Sequence, residues 1–204
     1  MKTRIEKDSL GEINIPFESY YGVQTQRAVH NFPVSGWKAH PVMVDAYVYI
    51  KKAAAITNAE LGLLNKKIAG AIVKAADEVL DGKHRDHFVV DVYQAGAGTS
   101  HNMNTNEVLA NRGIEILKGK RGDYSIINPN DHVNMAQSTN DTFPTAMRLA
   151  SLIMVKRLLP VINKFRKTLE KKSREFSKVI KSGRTHLQDA APITLGQEFE
   201  GYAE

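Results

Sequence analysis

Residues 141–176 read DTFPTAMRLASLIMVKRLLPVINKFRKTLEKKSREF, a run long enough to set the architecture. Leu152, Val155, Leu159, Ile162, Leu169 and Phe176 recur at intervals of three, four or seven. On a helix of about 3.6 residues per turn, that spacing makes one apolar stripe. Asp141 or Thr142 can cap the helix, and Pro144 fits its first turn. Pro160 interrupts the stripe and should bend the helix. A single helix this long predicts a mainly α fold, with residues 137–204 forming the beginning of a long-helix bundle.

Beyond that helix, residues 179–185 and 192–194 read as extended segments. Thr194 and Gln197 have capping-box spacing and should open a further helix. That helix has room for only about two turns before Glu204, too few to be stable alone. The expectation is a chain cut from something longer.

Toward the N-terminus, residues 1–136 predict a small helical domain with a short β-hairpin. Arg4–Asp8 and Glu12–Ile15 can pair around Ser9-Leu10-Gly11. Residues 16–33 have no helical period and predict an ordered irregular segment. His40-Pro41 marks a helix start and Gly62 its stop. Asn65 can cap the next helix, which should run to Leu80 before Asp81-Gly82. Residues 83–92 read as a loop or short turns. Asn104 and Glu107 have capping-box spacing and should open a helix reaching Leu117 to Gly119. Residues 122–135 read as irregular.

Composition excludes several classes. The chain has 204 residues, 42% hydrophobic and 25% charged, which suits a globular protein with a real core. It has no apolar run of the roughly 20 residues that a membrane span needs. Residues 1–17 lack the apolar core of a signal peptide. There is no cysteine, so neither a disulfide framework nor a thiolate metal site is possible. A cytoplasmic location and no membrane partner are expected. The net charge is +6, and residues 156–181 hold ten Lys or Arg against Glu170 and Glu175. Only Phe165 and Phe176 fall among those charges, too few to stack successive bases, so this is read as a solvated helix face and no nucleic-acid partner is expected. A basic surface also steers dianions inward.

Polar residues gather at three breaks beside helices. The first is Gln94 to Asn104, QAGAGTSHNMN, where glycines permit close backbone approach and Thr99 and Ser100 precede a helix N-terminus that favours an anion. On physical grounds alone a Gly-containing turn with a polar cap explains it slightly better, since a lone Gly-x-Gly is a weak signal. The second is Asn134 to Asp141, NMAQSTND. Ser138 and Thr139 can donate to a carboxylate, and Asn140 can hold a carboxylate or an amino group. An ordinary N-cap needs only one such residue. The third is Gly183 to Ala190, GRTHLQDA, where Thr185 and His186 can stabilise or protonate an anion. Here the plain alternative is a loop histidine. His84, Asp86 and His87 lack a third histidine, so no metal site is assigned.

In series, these stretches resemble the aspartase/fumarase superfamily across nearly the whole chain. Residues 96–108 are similar to its first active-site region, 128–141 to an adjoining part and 183–190 to its second. Ala97 and Ser100-His101 replace the Ser and Gln-Ser typical of the fumarase branch, and Asn104-Thr105-Asn106 follows the aspartase form. The resemblance implies elimination of ammonia from L-aspartate to give fumarate through an aci-carboxylate intermediate. The alternatives are a class II fumarate hydratase or a non-catalytic truncated assembly module.

The resemblance also implies a homotetramer whose active sites are shared between subunits. Thr99, Thr185 and His186 would surround the β-carboxylate, and His186 and Thr185 would act in catalysis. Ser138 and Thr139 would sit near the substrate carboxylates, and Asn140 near the amino group. No organic cofactor is implied. Members are often helped by a divalent cation such as Mg2+, for which the sequence offers no ligand set. The third region, a glycine- and serine-rich loop that supplies the base, is absent from this sequence, so the chain alone is expected to be inactive.

Overall fold

The computed structural model of the chain describes residues 2–96 and 98–204. It divides into two compact units, Met1–Ser151 and Leu152–Glu204. The first opens with an antiparallel hairpin, β1 (Thr3–Asp8) and β2 (Gly11–Pro16), in the register Asp8↔Gly11. The turn at Ser9-Leu10 agrees with the sequence, and Gly11 supplies the positive φ of 112° that closes it.

Helix α1 (Val23–Asn31) corrects the irregular reading of residues 16–33. No local residue caps it. Its N-terminal amides are instead taken by a remote carboxylate. Glu107 accepts from Gly22 N, Gln24 N and Thr25 N at 2.8, 2.9 and 3.0 Å. Glu6 accepts from Val23 N at 3.1 Å. A cap lying 82 or more residues away leaves no mark on a local pattern.

Helices α2 (Pro41–Glu60) and α3 (Lys66–Leu80) match their predicted caps. His40 Nδ1 accepts from Val42 N, and Asn65 Oδ1 accepts from Lys67 N. A 3-10 turn at Arg85–His87 then leads toward α4 (Thr99–Ile116). Here the sequence reading fails. The helix begins five residues before Asn104, at an N-cap Gly98 with φ 85°. Asn104 and Glu107 are interior. Asn104 accepts from Val89 N and donates to His87 O, while Glu107 caps α1. Residues 100–111 are all buried, so α4 is the central helix of the unit and shows no amphipathic period. Val48 of α2, Ile72 and Val79 of α3, and Leu109 and Ile114 of α4 form the core with Ile127. Each is fully buried, which contributes roughly 1.5–3 kcal/mol per side chain.

A single π-helical turn, Pro129–Val133, is nucleated by Asn128, whose Oδ1 accepts from Asn130 N and Asp131 N. Helix α5 (Thr139–Glu175) follows. Its start lies two or three residues before the predicted cap, because Ser138 Oγ accepts from Asn140 N. The helix continues across Pro160. Its first turns bury Thr142, Ala146 and Ala150 in the first unit.

In the second unit, α5 leads to β3 (Ile180–Thr185), β4 (Gln188–Thr194) and α6 (Leu195–Ala203). β3 and β4 pair antiparallel, and Thr194 and Gln197 complete the predicted capping box. Gly196 packs against Ser173 and Ser177, where a Cβ would collide with backbone. The Phe176 and Phe199 rings stack at 5.7 Å. Leu169 is buried, whereas Leu152, Val155, Leu159 and Ile162 of the same stripe are exposed. The basic face carries i,i+4 and i,i+3 pairs, Arg166–Glu170 and Lys172–Glu175. No helix among the described residues is long and apolar enough to cross a membrane.

Candidate active site

Helix α2 assembles the site of the first unit. Its Tyr47 and Lys51 lie one turn apart on a single face, and both are fully buried. Tyr47 packs edge-on to His101 of α4 at 5.1 Å, and its hydroxyl lies 3.2 Å from Thr142 Oγ1 of α5. Lys51 Nζ donates to Asn102 Oδ1 at 2.7 Å, Asn134 Oδ1 at 2.9 Å and Gln137 Oε1 at 2.9 Å. One helix face thus ties the start of α4 to the start of α5. A third link is steric. Gly98 lies against the Phe143 ring so closely that a Cβ would overlap it.

The residues so joined present donors outward. Thr99, Ser138 and Asn140 are exposed and Thr139 is half-buried. Among the described residues, the side chains of Thr99, Thr139 and Asn140 make no hydrogen bond within the protein. The N-terminus of α4 has no side-chain cap from Gly98, although Gln94 Oε1 takes His101 N at 2.7 Å. Free amides and the helix dipole at Thr99 favour a negative group. Just before Ser138, the chain turns at Ala136, whose φ of 57° is unusual for a residue with a side chain. Gln137 Nε2 braces that turn by donating to Val133 O and Met135 O. Asn58 Nδ2 also donates to Met135 O, at 3.2 Å.

Thr185 and His186 belong to the second unit. Both are exposed at the tip of the β3–β4 hairpin, where Thr185 pairs with Gln188 across a two-residue loop. His186 and Leu187 take φ of 51° and 60°, and Leu187 is 93% exposed. Positive φ at both loop positions marks a type I′ turn, which usually employs Asn or Gly. Here a histidine occupies it at a cost in backbone strain.

Ala97, used above to separate the two branches, lies outside the described residues. Ser100 and His101 are buried in α4. His84 and His87 are engaged elsewhere: His84 Nε2 lies 3.2 Å from Glu78 Oε2, and His87 Nδ1 accepts from Tyr20 N at 3.3 Å. Sequence reading missed Tyr47 and Lys51. Lys51 and Lys52 look alike in sequence, but Lys52 pairs with Asp77 while Lys51 turns inward. The available signal was the set of amides inside the two quoted clusters, Asn102, Asn134 and Gln137.

Burial governs the charges here. It pushes the Lys51 ammonium down to about 7. It pushes His101, whose buried Nε2 has no partner, down to about 4. It raises the Glu107 carboxyl to about 6, against the pull of its backbone donors. Because the folded-state pKa of His101 is depressed, its contribution to stability is full above the unfolded value near 6.5. That contribution is lost as pH falls through about 4, by roughly 3 kcal/mol at most. Glu107 opposes it, since its raised pKa favours the folded state below about 4.5. Replacing His101 by Leu isolates the histidine contribution. Urea denaturation between pH 7 and 4 should show a smaller loss of stability on acidification in His101→Leu than in the parent. Parallel curves for the two proteins would show that His101 charges freely in the folded state.

Comparison with known proteins places this architecture. The family model described as Lyase matches residues 11–204. This chain belongs to the lyase family. The lyase chain is 56% identical over 200 residues to an aspartate ammonia-lyase from a Bacillus species, covering 98% of this chain and 43% of that relative. It is 52% identical over 200 residues to a class II fumarate hydratase of Nitrosomonas europaea, again covering 98% of this chain and 43% of the relative. It superposes with a TM-score of 0.90 on the crystal structure of a fumarate lyase:delta crystallin from Brucella melitensis, at 53% identity, covering 99% of this chain and 47% of that one. The lyase chain thus spans less than half the length of the relatives it matches. The mainly α fold and the membership of the aspartase/fumarase superfamily agree with the sequence reading. Aspartate ammonia-lyases and fumarate hydratases lie at similar identity, so the comparison supports the family without choosing the substrate.

Proposed function

We propose that the full-length protein is an aspartate ammonia-lyase that reversibly eliminates ammonia from L-aspartate to give fumarate. The observation that carries this reading is the set of uncommitted donors, Thr99, Thr139 and Asn140, on two segments that buried Lys51 ties together. Removing the proton beside the β-carboxylate leaves an aci-carboxylate with two negative charges. Catalysis then depends on donors that bind this developing charge better than the ground state. Thr99, Thr185 and His186 would serve the β-carboxylate, Ser138 and Thr139 the carboxylates, and Asn140 the amino group. His186 and Thr185 are the catalytic candidates.

No base is assigned among residues 1–204, and these residues alone are expected to be inactive. A homotetramer with sites shared between subunits completes this proposal. No organic cofactor is required, and Mg2+ would act as an activator whose ligands are not assigned. Ala97, Ser100 and His101 favour the ammonia-lyase branch. Class II fumarate hydratase is the second reading, favoured by relatives of that name at 52% identity.

Assaying the full-length enzyme with L-aspartate and with malate, side by side, decides between them by the absorbance of fumarate. L-Aspartate is the expected substrate. A higher kcat/KM for malate would make the enzyme a fumarate hydratase.

A further inference from the structure

We propose that Lys51 is a positioning residue: its ammonium fastens the N-terminal turn of α4 to the segment before α5, and so sets Thr99 against Ser138, Thr139 and Asn140. Its kinetic consequence rests on the ammonia-lyase reading, but its structural consequence does not.

An ammonium has three N–H donors, and three amide oxygens surround Nζ. They come from two segments: Asn102 lies one turn beyond Thr99, while Asn134 and Gln137 immediately precede Ser138. Asn134 Oδ1 also accepts from Asn102 Nδ2 at 3.2 Å and from Asn106 Nδ2 at 3.3 Å. With their oxygens drawn toward the cation, Asn134 and Gln137 turn their NH2 groups the other way. Asn134 Nδ2 donates to Gln137 O, and Gln137 Nε2 to Val133 O and Met135 O. These bonds hold the turn that contains the strained Ala136. The chain of cause runs from Nζ through amide orientation to the backbone that carries Ser138.

Lys51 has no carboxylate partner among the described residues. A buried ammonium without a counter-ion is costly, and a neutral side chain would fill a merely structural position at lower cost. A neutral amide offers only two N–H donors and cannot hold three acceptors in this geometry.

The test uses the full-length enzyme carrying Lys51→Met, with hydrogen exchange and steady-state kinetics read on the folded fraction. Exchange should quicken at least tenfold in peptides covering both 99–106 and 133–142. In kinetics, kcat should fall by roughly 10²-fold and KM for L-aspartate should rise, since a shift of about 1 Å at reacting groups costs that much. A residue that only stabilises the fold would lower the melting temperature and leave kcat and KM per folded site unchanged. That result, or wild-type exchange in either segment, overturns the proposal. If Lys51→Met does not fold, Gln137→Met removes one tether and keeps the charge. It should shift exchange and kcat/KM in the same direction by a smaller factor, and unchanged values would overturn the proposal equally. If the unmodified full-length enzyme turns over neither L-aspartate nor malate, the lyase reading fails, and the exchange measurement still decides the role of Lys51.

Discussion

The full-length enzyme carrying His186→Ala is expected to lose about 10²–10³-fold in turnover, the effect of removing one well-placed donor to a developing oxyanion. Its stability should stay within about 0.5 kcal/mol of the parent, as for most surface substitutions. The hairpin explains the split. His186 is exposed and supports no core, and the β3–β4 ladder is set by backbone pairs on either side of it. His186→Gly sharpens the test, because glycine takes the φ of 51° without penalty. That variant should be as inactive as His186→Ala yet melt higher than the parent. Near-normal turnover in either variant would remove His186 from the mechanism.

Gly98→Ala is expected to destabilise the protein by about 2–5 kcal/mol. Two costs add. A Cβ at a φ of 85° carries a left-handed penalty of about 1–2 kcal/mol, and forcing it into the Phe143 ring overpacks the site by about 1–3 kcal/mol. Phe143 lies in the first turns of α5, so relief by a backbone shift there also moves Ser138, Thr139 and Asn140. Activity should therefore fall even in the fraction that remains folded. Urea denaturation monitored by circular dichroism gives the first quantity. A loss below 1 kcal/mol would mean that the Phe143 ring swings aside freely.

The parts of the fold that depend on neighbouring residues were legible. His40 and Asn65 cap α2 and α3, and Thr194 with Gln197 caps α6, because a cap acts across two or three residues. The parts that depend on distant partners were not. The Asn104 and Glu107 pair has the spacing of a capping box, yet a helix that is buried on every side turns such residues to other work. In the site, Thr99 and Ser138 to Asn140 were legible as donors clustered at helix starts. Tyr47 and Lys51 were not, since their role comes from an α2 face that meets α4 and α5 only in three dimensions.

The remote cap on α1 bears on the order in which the chain can fold. A nine-residue helix is too short to persist in water by itself, and this one borrows its N-terminal acceptor from the middle of α4. The loop that must close before Glu107 reaches those amides spans more than 80 residues, an entropic charge that no local hydrogen bond repays. α1 is therefore expected to wind after α4 has been enclosed by its neighbours and to unwind early when that enclosure loosens, as a latch on a finished core, and native-state hydrogen exchange across 22–31 checks it.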